Sequence, residues 1–225
     1  MKIMAIIPAR GGSKGIYLKN IKKLNKIPLV NYTIKNSIKS KIFDHIIVST
    51  DSKKIFNTAK KHKNIMVFNR SRNIAKDTSR LEETMSDVLR KIYILKQYQP
   101  DWIFVLQPTS PLRSPNTLIK AKNILKKNSK INSLIALLLV NGSPGKLINR
   151  RFVPFEKHGK YRRQDRQSAF IEAGALYCVK YRYFKKTKKL MEKKPFGFQI
   201  PKIENVDIDD LQDFRIAEAL TESKL

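Results

Sequence analysis

Cysteine is almost missing from this sequence. Cys178 is the only one among 225 residues, which excludes an intrachain disulfide and a thiolate zinc centre. It lies in the apolar run Ala175 to Val179, where a buried, inert thiol is expected and not a nucleophile. Histidine is scarce too: His45, His62 and His158 are scattered and show no metal-ligand spacing. Long apolar runs are absent, since charges interrupt every stretch at about the length of a buried strand, so no membrane span is expected. The opening MKIMAIIPAR has too short an apolar stretch for a signal peptide and meets Pro8 and Arg10 with no small-residue cleavage site. A cytoplasmic location is the expectation. Acidic residues are few, 18 against 47 Lys and Arg, giving a formal net charge of +29.

That charge points to nucleic acid, an anionic membrane surface or an acidic substrate. The basic residues are spread along the whole length in pairs such as Lys22-Lys23, Lys53-Lys54, Lys126-Lys127 and Lys185-Lys186. No basic arm, zinc-finger spacing or RNP-like aromatic motif accompanies them. A solvated lysine-rich surface that attracts a polyanionic substrate fits this distribution. A basic nucleic-acid-binding protein on a related fold is the alternative.

What is present is a rhythm. Short β-rich apolar runs alternate with amphipathic lysine-rich segments, the pattern of an α/β fold with a mainly parallel sheet flanked by helices. Core strands are expected at Ile3–Ile7, His45–Ser49, Ile65–Phe68, Trp102–Leu106, Ser133–Leu139 and Ala175–Val179. Helices are expected at Val30–Ser40, Ser52–Lys61, Arg80–Leu95, Pro115–Lys127 and Asp210–Leu220. In the third of these Leu81, Met85, Val88, Leu89, Ile92 and Leu95 recur at helical spacing, which makes Met85 a core residue. The length suits one domain over 1–225. Residues 141–170 break the rhythm with Gly142, Pro144, Gly145, Pro154, Gly159 and dense charge. They read as an inserted loop or hairpin region.

The first strand runs into Ala9-Arg10-Gly11-Gly12-Ser13-Lys14-Gly15. The glycines allow a tight turn with accessible N–H groups, Arg10 and Lys14 add fixed positive charge, and Ser13 adds a hydroxyl. A phosphate cradle fits this loop, as does an ordinary glycine-rich turn. It matches neither GxGxxG nor the Walker A pattern. Gln107-Pro108-Thr109-Ser110-Pro111-Leu112-Arg113 follows the apolar strand WIFVL, so its polar groups fall at a carboxyl end, where open α/β sheets place ligands. Gln107 suits sugar hydroxyl and amide groups, while Arg113 either steadies the loop or binds an anion. Asp207 and Asp209 stand two apart, so on an extended segment both carboxylates share one side and could hold Mg²⁺ with substrate phosphates. Asp210 and Asp213 read as caps of the following helix, and that reading could extend to Asp209.

These strings, in order, resemble the CMP-sialic acid synthetase (acylneuraminate cytidylyltransferase) family. The resemblance runs through IIPARGGSKGIYLKNI, Val48 to Asp51, Arg70 to Ser79, Gln107 to Arg113, Tyr161 to Asp165, Gly174 to Tyr177 and Val206 to Asp209. It implies a fold similar to nucleotide-diphospho-sugar transferases, with a small dimerisation extension at about 141–170 and a homodimer. It implies an enzyme that joins CMP from CTP to an acidic nine-carbon sugar with Mg²⁺ or another divalent cation, acting on no membrane and no specific nucleic acid. By the same resemblance, Arg10, Lys14 and Lys19 are catalytic. Arg10, Gly11, Gly12, Ser13, Lys14, Asn20, Arg70, Asp77 and Ser79 hold CTP. Gln107, Thr109, Ser110, Lys146, Arg163 and Gln164 meet the sugar, and Asp207 and Asp209 bind the metal. Two departures stand out: Tyr17-Leu18 replaces the usual Pro-Arg, and Ala173 replaces the usual Asn before Gly174. The second implies a less polar wall at the sugar and a preference shifted toward a relative such as legionaminic acid.

Overall fold

The computed structural model describes residues 1–13, 15–140, 144–155 and 169–222. The chain alternates strands and helices in the order β1 (Ile3–Pro8), β2 (Lys23–Leu24), β3 (Ile27–Pro28), α1 (Leu29–Ser40), β4 (His45–Thr50), α2 (Lys53–Lys60), β5 (Met66–Asn69), α3 (Leu81–Lys96), β6 (Trp102–Val105) and α4 (Pro115–Lys127). It continues with β7 (Ser133–Val140), β8 (Gly145–Ile148), β9 (Arg151–Pro154), β10 (Ala169–Lys180), α5 (Tyr181–Thr187), β11 (Phe196–Gln199) and α6 (Leu211–Glu222). Short 3₁₀ turns at Lys19–Ile21, Arg72–Ile74 and Lys202–Glu204 punctuate the loops.

Seven strands form one sheet in the order β11-β7-β10-β6-β1-β4-β5. β10 alone runs antiparallel to its neighbours, and the other pairings are parallel. The expected mainly parallel α/β sheet is therefore observed. The central strands are buried on both faces, and their side chains sort by the two-residue period. Ile3, Ala5, Ile7, Trp102, Phe104 and Leu106 pack with residues of α1, α2 and α4. Met4, Ile6, Ile103 and Val105 pack on the other face with Met85, Val88 and Ile92 of α3 and Phe184 of α5. Cys178 is fully buried, and burial pushes its thiol up, as an inert core residue requires.

Helix starts follow local chemistry. Ser52 and Ser114 accept from Ile55 N and Thr117 N at 3.5 and 3.2 Å and cap α2 and α4, and Pro115 fits the first turn of α4. Asp210 Oδ1 accepts from Gln212 N and Asp213 N, while Asp213 Oδ2 accepts from Asp209 N and Asp210 N, so the expected cap of α6 is present. A third apolar cluster of Ile16, Leu24, Leu29, Ile208, Phe214 and Ala217 packs α6 under the first loop.

Elements beyond the sequence expectation are small. β11 and α5 were not anticipated, and β10 starts at Ala169, six residues before the expected Ala175. β8 and β9 pair as a hairpin within the irregular region, closed by Asn149 and Arg150 at φ 48° and 65°, the left-handed pair that a two-residue hairpin loop needs. Among the described residues no helix is long and apolar enough to cross a membrane.

Candidate active site

The carboxyl ends of β1, β5 and β6 open into a cleft of about 520 Å³ whose walls include Arg10, Ser13, Gly15, Lys19, Asn20, Arg70, Asp77, Ser79, Gln107, Thr109 and Asp209. The loop after β1 is fixed before any ligand arrives. Gly11 N donates to Asp51 Oδ1 at 2.8 Å, and Asn20 Nδ2 donates to Arg10 O at 2.9 Å. At Gly15 a Cβ would collide with the carbonyl oxygen of Asp209, so only glycine lets this loop lie against the aspartate segment.

Three of the cleft cations, Arg10, Lys19 and Arg70, are pinned. Arg10 Nη1 meets Asp77 Oδ1 at 2.5 Å across the two walls. Lys19 Nζ donates to Ile208 O at 2.6 Å and to Asp209 Oδ1 at 3.2 Å. Arg70 is 8% exposed, with Nε on Ser49 Oγ at 3.2 Å and Nη2 on Ser49 O at 2.7 Å. Burial lowers its guanidinium to about 10, partly offset by Asp51, and it stays charged at neutral pH. Asn20 lines the cleft while its Oδ1 has no partner among the described residues. A polar atom left buried and unpaired costs about 1–3 kcal/mol.

The far wall comes from the Gln107 loop. Thr109 O accepts from Ile208 N at 2.9 Å, which ties that loop to the aspartate segment. Ile208 is buried between exposed Asp207 and Asp209, the alternation expected of an extended stretch. A Cβ at Gly174 would meet Asp207 Oδ2 at 2.5 Å, so glycine there makes room for that carboxylate. Cations, hydroxyl and amide groups, and the carboxylates of Asp77 and Asp209 thus converge in one concavity at the strand ends, an arrangement suited to a polyanionic ligand.

A model of the family described as cytidylyltransferase matches residues 4–220. The chain belongs to the cytidylyltransferase family. It is therefore a nucleotidyltransferase. Among relatives, it is 30% identical over 229 residues to the pseudaminic acid cytidylyltransferase of Campylobacter jejuni, covering 98% of this chain and 96% of that one. It is 39% identical over 130 residues to the CMP-N,N'-diacetyllegionaminic acid synthase of Legionella pneumophila, covering 58% of this chain and 56% of that one. Its fold is similar to that of CMP:2-keto-3-deoxy-manno-octonic acid synthetase complexed with CTP, at TM-score 0.75 and 14% identity, with both chains covered in full.

Within this cytidylyltransferase the structure gathers most of the anticipated residues and relocates several. Arg10, Ser13, Lys19, Asn20, Arg70, Asp77, Ser79, Gln107, Thr109 and Asp209 share the cleft. Gly11 and Gly12 form the loop beside it, and Asp207 lies next to Gly174 outside the lining. Ser110 is 1% exposed and is not among the residues that line the cleft. Lys146 projects from the β8–β9 hairpin, with Nζ over the Phe155 ring at 5.9 Å, and not from the cleft wall. Arg113 is buried and hydrogen-bonded within the protein, which decides its two readings in favour of steadying the loop. Ala173 is 1% exposed in the core facing α1, α2 and α4, so its side chain presents no wall to a sugar and the specificity argument built on it fails. Lys14, Arg163 and Gln164 lie outside the described residues.

Sequence reasoning passed over Ile74, Lys76, Leu81 and Thr84, which also line the cleft. Thr84 carried a signal: it is a hydroxyl within the buried stripe of α3, one turn after Leu81.

Proposed function

We propose that this enzyme transfers CMP from CTP to the anomeric hydroxyl of a nonulosonic acid and releases pyrophosphate. The reading is carried by one cleft that has cations pinned on the nucleotide side and Gln107 and Thr109 on the other, in a chain similar along its length to a pseudaminic acid cytidylyltransferase. The sugar hydroxyl oxygen attacks the α-phosphorus, the new P–O bond forms, the hydroxyl proton leaves to solvent, and the bond to the pyrophosphate oxygen breaks. Arg10 and Lys19 face the triphosphate and offset the charge that gathers on the leaving group. Arg70, locked by Ser49, holds the nucleotide, and Asn20 fixes the loop beside it through its bond to Arg10 O. Gln107 offers its amide to the sugar substituents and aligns the hydroxyl. The carboxylates on the cleft wall are Asp77 and Asp209, and no histidine lines it among the described residues.

A divalent cation such as Mg²⁺ belongs to this proposal. The described residues contain no cluster of three or more metal-ligating side chains. Two exposed hard-oxygen donors on Asp207 and Asp209 do fit an ion that takes its remaining ligands from phosphate and water. Such an ion supplies charge neutralisation at the phosphates. A cytoplasmic location goes with CTP as substrate. Homodimer formation is also part of the proposal, through the apolar residues exposed on the β8–β9 hairpin, Leu147, Ile148, Phe152, Val153 and Phe155.

Pyrophosphate release from CTP, measured with sialic, legionaminic and pseudaminic acids side by side, tests the reaction. Turnover with at least one is expected. No turnover with any, together with salt-dependent RNA or DNA binding, would instead favour a nucleic-acid-binding role.

A further inference from the structure

Among the described residues, the largest fully buried side chain is not apolar. It is Arg113, the last residue of the Gln107 loop, at 1% exposure. An ionised group there is costly unless its hydrogen bonds are made, so what it holds is informative. Nη1 donates to Gln107 O at 3.4 Å and to Ala175 O, and Nη2 donates to Thr33 Oγ1 at 3.1 Å. Its own carbonyl accepts from Asn36 Nδ2 at 2.8 Å. One guanidinium therefore spans α1, the first residue of the Gln107 loop, and β10 where its pairing with β7 slips between Glu172 and Tyr177.

The carboxylates whose field it feels are Glu204 and Asp207. Glu204 is 4% exposed, and its Oε2 has no hydrogen bond among the described residues, like Arg113 Nε, Thr109 Oγ1 and Ser110 Oγ. The unpaired buried atoms thus concentrate behind the sugar-side wall. The nucleotide side uses other supports: Ser49, Asp51 and Asp77, on or after β4 and β5, hold Arg70, Gly11 and Arg10.

Resting on the proposed reaction, we infer that Arg113 is a positioning residue. It holds Gln107 in register for the sugar acid, while Arg10, Gly11 and Arg70 on the CTP side are held by Asp77, Asp51 and Ser49 without it. Charge alone would not suffice. Three acceptors in different directions match the planar fork of arginine, and a lysine ammonium cannot reach them together.

The test compares wild type, Arg113→Lys and Arg113→Met. It measures steady-state kinetics with the nonulosonic acid that wild type uses, and calorimetric CTP binding without sugar. The expected result is a kcat/KM for the sugar acid lower by roughly 10²-fold in both variants, as for a misplaced reacting group, with the CTP Kd changed less than about twofold. Lysine should restore thermal stability without restoring the sugar KM. If Arg113→Met does not fold, Arg113→Lys supplies the same split. Parallel loss of CTP affinity and sugar efficiency, or full recovery of the sugar KM by lysine, overturns the inference and leaves the proposed reaction standing. A wild type inactive with every nonulosonic acid overturns both.

Discussion

At the carboxyl ends of the parallel strands, Arg10, Lys19 and Arg70 each have a defined partner. At the other end of the sheet a second cleft carries Lys126, Arg182 and Lys185, whose side chains have no hydrogen bond or ion pair among the described residues, and Lys180, whose Nζ donates to Ser129 O at 3.0 Å. That second cleft is the larger, about 680 against 520 Å³. Neither size nor positive charge picks out the site. The difference is organisation. In a parallel α/β sheet the helices begin near the strand carboxyl ends and finish at the opposite end, and Lys60, Lys96, Lys126 and Lys127 occupy last turns, where cations complement helix carbonyls. The last-turn charges answer local helix chemistry and water, whereas Arg10, Lys19 and Arg70 are each held by a protein partner at the strand ends, as the proposed triphosphate site requires.

Breaking the upper set should therefore do far more than breaking the lower. The largest effect is expected from the proposed metal site: Asp209→Asn should lower kcat by about 10²–10³-fold, and chelation by EDTA should bring turnover to background. Turnover that persists in EDTA removes the cation from the proposal. Lys19→Ala and Arg10→Ala should each lower kcat by about 10²-fold, beyond any change in the KM for CTP, because charge builds toward the leaving pyrophosphate. An altered KM at unchanged kcat would assign them to binding alone. The contrast is sharpened by Arg182→Ala with Lys185→Ala, for which kcat/KM should stay within about twofold as for solvated charges. A large loss there would end the distinction between the two ends.

Smaller effects concern stability. Ser114→Ala removes the cap of α4 and should cost about 1 kcal/mol in denaturant unfolding, with kcat little changed. Burial raises the Glu192 carboxyl, but bonds from Asn132 and Ser133 outweigh that and hold it below its usual 4.5. A depressed carboxylate stabilises the fold above its unfolded pKa, and that contribution is lost as pH falls through the lower folded value. Glu192→Gln should therefore be less stable than wild type near neutrality and lose less stability on acidification below about pH 4.5. Identical acid unfolding curves would deny the carboxylate that role.

Much of this was readable before any coordinates. The central strands are continuous apolar runs because both faces are covered, and α3 and α4 show stripes bounded by clear caps, so their periods carry over almost residue for residue. The loops at the strand ends were legible as motifs. Their contents were less so, because a loop residue's direction depends on neighbours remote in sequence. Ser110 and Thr109 are adjacent, yet one is enclosed and the other lines the cleft. Ala173 sits beside a site glycine but on the strand face that enters the core. β11 was illegible for another reason: Phe196–Gln199 is a short edge strand with little alternation, and its pairing with β7 is decided by tertiary contact.

The bond from Ile208 N to Thr109 O and the packing of Phe214 and Ala217 beneath Ile16 give the active site a particular place in time. Synthesis proceeds from the amino terminus at about 5–20 residues per second, and β1, β4, β5 and β6 are complete about a hundred residues before Asp209 emerges. On the ribosome, the glycine-rich loop and the Gln107 loop wait without their floor, and Lys19 waits without Ile208 and Asp209. The proposed site is therefore complete only once the segment around Asp209 has left the exit tunnel.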